Sequence, residues 1–155
     1  MLAALSDGYE CLTAPEVFAE AQRGLAEHPA IGNLFAVRWL AILELDIFEA
    51  VRAATFKSEL GGGAIEHLGE CAVLALAESH GMTAVIDDRD GRRTGTRHGV
   101  AVAGSLSLVA RGVRDGIIEM RAATDVVEML KATDMYLPTS GADFPAWARA
   151  EGLLT

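Results

Sequence analysis

The chain has 155 residues, 51% hydrophobic and 23% charged, with 13 Lys and Arg against 22 Asp and Glu. That length and balance predict one globular domain with a real core and exclude a disordered chain. The net charge of −9 argues against a general polyanion binder.

No apolar stretch approaches the roughly 20 residues that a bilayer needs, and the start lacks the positively charged region of an export signal. Cys11 and Cys71 have no metal-ligand spacing and read as small buried apolar residues. A cytoplasmic protein that does not enter a membrane is the expectation.

In chain order, residues 9–13 read as a strand. Thr13 and Glu16 have the spacing of a capping box, with Pro15 in the first turn of a helix that runs to about residue 28, where Pro29 ends it. Residues 33–45 are ambiguous between strand and helix. Residues 46–60 predict a helix with Ile47, Val51 and Ala54 on one face, and Gly61 to Gly63 form a joint.

The middle then repeats one pattern. A nearly all-apolar helix over 64–80 is closed by Gly81, followed by a β-type run at 83–87 and a polar helix at 89–98 closed by Gly99. A second β-type run occupies 100–103. Ser105 is the expected N-cap of the next helix, in which Leu106, Val109, Ala110 and Val113 form one face and Gly116 is the stop. Helices at 125–134 and 144–151, the latter carrying Trp147, flank a loop at 137–141. Alternating β and α segments of this kind predict an α/β fold with a parallel sheet, its strands covered on both faces.

Ligands in open α/β sheets collect beyond the carboxyl ends of the strands. Asp87, Asp88 and Asp90 stand at such an end, and carboxylates so crowded require cations or arginines nearby. Mg²⁺ or Mn²⁺ satisfies them, because hard cations take carboxylate oxygens. A solvated turn neutralised by its own arginines is the competing reading.

Glu70 sits at the start of the apolar helix, where the helix dipole alone would favour it. That helix runs antiparallel to the strand after it, so its N-terminal end lies near the Asp87-Asp88 pair. Glu20, one turn into the first helix, is a further candidate or a plain surface glutamate. Arg89, Arg92, Arg93, Arg97 and His98 make a local basic patch beside the aspartates. His80 and His98 read as C-terminal helix residues. No EF-hand loop, phosphate-binding lysine loop or nucleophile elbow is present.

The run from Leu68-Gly-Glu-Cys71 through Ala84-Val-Ile-Asp-Asp-Arg89 to Gly104-Ser-Leu106 resembles the PIN-domain superfamily. It looks closest to bacterial PIN-like proteins related to VapC-type toxins, and the likeness covers roughly residues 9–118. The resemblance implies a single PIN-like domain over 1–155, with a Rossmann-like parallel sheet and a helical extension at 119–155.

It further implies endonucleolytic cleavage of RNA by Mg²⁺ or Mn²⁺ bound at Glu70, Asp88, Asp87 and Glu20, with Arg89, Arg92 and Arg93 on the RNA backbone. The implied partners are a small antitoxin protein and a second copy in a homodimer. Family members open with a hydrophobic strand ending in aspartate. The segment Met1-Leu-Ala-Ala-Leu-Ser-Asp7 instead resembles the end of the first helix, so that strand and its aspartate are expected to be missing.

The alternative to a ribonuclease is a catalytically impaired PIN-like protein that binds RNA or a protein partner. A receiver-like phosphoacceptor is disfavoured, because its acidic pair would follow the first strand.

Overall fold

The computed structural model describes residues 9–133 and 135–155. The 1–5 segment, Asp7 and the Asp134 end of the predicted 125–134 helix lie outside that range. The chain divides into two units, Glu10–Ala103 and Gly104–Thr155, with Tyr9 belonging to the second.

In the first unit the order is β1 (Cys11–Thr13), α1 (Pro15–Gly24), a 3₁₀ segment (Pro29–Ala36), β2 (Leu40–Ile42), α2 (Ile47–Leu60), α3 (Leu68–His80), β3 (Thr83–Val85), α4 (Arg89–Arg97) and β4 (Ala101–Ala103). The ambiguous 33–45 stretch thus resolves into the end of a 3₁₀ segment and a strand. β1 pairs with β2 in parallel, Cys11 opposite Leu40 and Thr13 opposite Ile42. β3 pairs with β4 in parallel, Thr83 opposite Ala101 and Val85 opposite Ala103.

Parallel pairing matches the alternation in the sequence. One continuous sheet does not form: the described strands make two separate two-stranded ladders. Local periodicity sets a strand's conformation and faces, whereas its neighbour is chosen by long-range packing.

Helix α3 joins the ladders because it is apolar nearly all round, as buried helices are. Its Ala72 and Leu76 pack with Ala14, Leu43 and Leu45 beside the first ladder. Its Cys71, Leu74, Ala75 and Ala77 pack with Phe56, Ala84, Ile86 and Val100 around the second. Small residues let helix α1 approach it closely: a methyl added at Gly69 would stand 3.1 Å from a Val17 methyl. The helix starts at Leu68 rather than at 64, since His67 adopts a left-handed φ of 59°. Gly81, at φ 63°, closes it as expected.

The expectations for both ends of α1 are corrected. Thr13 and Glu16 form no capping box: Ala14 is the N-cap of α1 and makes no side-chain cap. Thr13 belongs instead to the ladder, where its carbonyl accepts from Leu43 N at 2.9 Å. The helix also stops at Gly24, short of residue 28.

The same Asx/Thr-to-Glu spacing at Asp46 and Glu49 does close a box. Asp46 Oδ1 accepts from Phe48 N and Glu49 N at 2.8 Å each, and Asp46 N donates to Glu49 Oε2 at 2.9 Å. Asp46→Ala is expected to lower stability by about 1 kcal/mol, read as a shift of the urea midpoint without a change in slope; an unchanged midpoint would contradict the cap.

α2, α3 and α4 are also tied by charge. Arg52 donates to both Glu78 oxygens, at 2.5 and 2.7 Å. Its Nη2 lies 3.0 Å from His98 Nδ1, and His98 Nε2 lies 2.8 Å from Glu59. Guanidinium groups only donate, so His98 accepts at Nδ1 and donates from Nε2.

The hydrogen bonds from Arg52, and then its charge, hold the Glu78 carboxyl below the usual glutamate range. A depressed folded-state value stabilises the protein above the ordinary pKa of about 4.3 and loses that contribution as pH falls through the folded value. Glu78→Gln should therefore cost about 1 kcal/mol at pH 7, the scale of a well-aligned, partly exposed pair. The gap from the parent should close below about pH 4. Denaturant unfolding at both pH values checks this; a gap that persists in acid would be inconsistent with the pair.

The second unit contains α5 (Ser105–Arg114), α6 (Met120–Lys131) and α7 (Phe144–Ala150). Its core is Leu106, Val109, Ala110, Ala123, Val126, Val127, Phe144 and Ala148. Gly104 rather than Ser105 is the N-cap of α5, with Ser105 the first helical residue. α6 begins five residues before the expected 125, because Met120 and Ala123 join the apolar face.

Candidate active site

Glu70 lies in the first turn of α3, where the exposed amide ends favour a carboxylate. Its side chain is 25% exposed and its Oε2 is 2.7 Å from His67 Nδ1. Asp88 is the N-cap of α4, and its Oδ2 accepts from Gly91 N at 2.7 Å.

Gly91 is buried between the two acids. A methyl placed on it would stand 3.6 Å from Asp88 Oδ2 and 3.7 Å from the Glu70 carboxyl carbon. Both carboxylates therefore border one small space at the carboxyl end of β3, on residues 18 apart in the chain. Asp87 is exposed beside them.

Glu20 is half-buried on α1, its Oε2 only 2.5 Å from where a methyl on Gly69 would stand, so it packs against the residue preceding Glu70. Burial first, and then the charges of Glu70 and Glu20, push the Cys71 thiol up to about 11. That thiol stays protonated at neutral pH and is no nucleophile.

On α4, Arg89, Arg92 and Arg93 are exposed. Arg93 lies 3.6 Å from Asp90 and Arg97 lies 3.1 Å from Glu59. His98 belongs to the Arg52–Glu59 cluster, and His80 pairs with buried Glu49 at 3.0 Å. Among the described residues, no three His, Cys, Asp or Glu side chains converge closely enough to cage a metal ion.

His67 was not visible as a neighbour of this site in the sequence, where it stood inside a predicted helix. Its three-residue spacing to Glu70 was the available signal. Residues 1–142 match a protein family described as a PIN domain. The chain belongs to the PIN-domain superfamily. No curated protein and no solved structure matches it.

In this PIN domain the α/β architecture and two parallel ladders agree with the family, which is nuclease-type in general. Among the described residues, no helix of the PIN domain is long and apolar enough to cross a membrane.

Proposed function

We propose that this PIN domain is a Mg²⁺- or Mn²⁺-dependent endoribonuclease of the VapC toxin type. The supporting observation is the placement of Glu70 and Asp88 on either side of Gly91, at the carboxyl end of a parallel strand. Two carboxylates suit Mg²⁺, which commonly keeps several waters and takes only one or two protein carboxylates plus substrate phosphates. Glu70 and Asp88 would hold the ion, with Asp87 and Glu20 adding negative charge around it. A bound ion would supply an activated water and stabilise charge on the phosphate.

The chain's own residues do the rest. His67 orients Glu70 through the 2.7 Å contact. The Gly91 amide fixes Asp88. Arg89, Arg92 and Arg93 offer positive charge to an RNA backbone on a chain that is otherwise acidic, which confines binding to this edge. A small antitoxin protein and a homodimeric state belong to the same proposal.

The test is single-stranded RNA incubated with the full chain and Mn²⁺, alongside a thermal melt in Mn²⁺ and in chelator. Metal-dependent cleavage with a raised melting temperature supports the reading. Absence of both cleavage and a metal-dependent melting shift sinks it. A catalytically impaired PIN domain is supported if RNA binds without being cut.

A further inference from the structure

A cleft of about 520 Å³, lined by neither Glu70 nor Asp88, opens in the first unit between the start of α1, the segment after β2, and helices α2 and α3. Its walls are apolar, with Leu45, Ala50 and Ala54 among them, and its charged lining is Glu16, Glu44 and Lys57. This is the size and make-up of small-ligand sites, which are mostly apolar with a few fixed polar groups.

Glu16 is the unusual member. Its Oε2 is fully buried and has no hydrogen-bond partner. The capping role that its sequence position suggests is not exercised, since Ala14 caps α1 without side-chain help. The Lys57 ammonium, also in the lining, donates to the Gly61 and Gly63 carbonyls at the end of α2. A buried carboxylate oxygen without a donor is costly, and a second carboxylate, Glu44, lines the same cleft.

We propose that this cleft binds an alkyl cation, an ammonium or guanidinium head on an aliphatic stem. The head pairs with Glu16 and Glu44, after a small rotation of Glu16 that turns Oε2 toward it, and the stem lies along Ala50, Ala54 and Leu45. Anions are repelled by both carboxylates, and a neutral alcohol leaves the Glu16 charge uncompensated. The site does not rest on the nuclease reading, because its lining includes none of Glu20, Glu70, Asp87 or Asp88.

The test titrates the full chain, in chelator, with n-butylguanidinium and n-butylammonium, using n-butanol and butyrate as controls, followed by amide NMR shifts. Saturable shifts at Leu45, Ala50 and Ala54 with the cations alone are expected. Glu16→Gln should weaken binding at least about tenfold, or 1.4 kcal/mol. That variant loses only an unpaired carboxylate, so its melting temperature should not fall, which separates lost binding from lost folding.

A capped Ala-Arg-Ala peptide distinguishes the source of the cation. Tighter binding than n-butylguanidinium supports a protein side chain, and weaker binding supports a free amine. Equal binding of n-butanol, no saturable shift with either cation, or an unaltered affinity in Glu16→Gln overturns the proposal; the last would mean that an ordinary water satisfies Glu16.

Discussion

Phe56→Ala is expected to destabilise the Glu10–Ala103 unit by about 3–5 kcal/mol, the range for removing a buried aromatic ring. Phe56 is fully buried and fills the space between α2 and the α3 face that carries Cys71, Leu74 and Ala75. The His98 ring meets it edge-on at 5.3 Å, and the Arg52 guanidinium lies 4.6 Å from its centre.

Truncation therefore opens a cavity and also strips the apolar floor from the Arg52–Glu78–His98 cluster. The cavity cannot collapse cheaply, because α3 is held between the two ladders. The two tryptophans make the measurement specific: Trp39 lies in this unit and Trp147 in the other. In a Trp147→Phe background, urea unfolding reported by Trp39 should show the loss. A change below about 1 kcal/mol, the centre of the ordinary range for point substitutions, would refute the packing role assigned to Phe56.

The second large effect concerns chemistry. Glu70→Gln should reduce metal-dependent RNA cleavage at least about 100-fold, the scale of losing one group that stabilises charge in the transition state. Stability should move by less than about 0.5 kcal/mol. Glutamine keeps the volume of Glu70 and an oxygen that can accept from His67, so the start of α3 is preserved while the charge is gone.

Asp88→Asn is the paired case. Asparagine caps helices as well as aspartate does, so the bond from Gly91 N survives and only the charge is lost. Asp88→Ala removes both cap and charge, and should add about 1 kcal/mol of destabilisation to the same loss of cleavage. Parent-like cleavage by Glu70→Gln would overturn the assignment of this carboxylate to the reaction.

Much of the fold was legible in the sequence, and the misses share a cause. The glycine stops at Gly81, Gly99 and Gly116 all stand at positive φ as the sequence suggested, because a helix end is decided by a few neighbouring residues. The helix at 46–60 was legible from the spacing of Ile47, Val51 and Ala54, and the structure adds the Asp46–Glu49 box at its start.

Thr13 and Asp46 both offer box-like spacing at the start of a helix, and local rules cannot rank the two. Only the pairing of β1 with β2, which takes Thr13 into a ladder, decides that the first is not used. That decision leaves Glu16 facing a cleft rather than capping a helix. The left-handed turn at His67 was likewise hidden, since histidine carries no glycine-like mark for it.

The sequence by itself determined the α/β alternation, the PIN resemblance and the placing of carboxylates at a strand end. These follow from periodicity and from residue types a few positions apart. The sequence also brought Glu70 near the Asp87-Asp88 pair, but tertiary structure alone decided that Glu70 and Asp88 meet across Gly91, that Glu20 rests on Gly69, and that the strands pair as two ladders joined by one helix. Each joins residues distant along the chain, and such contacts depend on how buried surfaces pack, which no local pattern encodes.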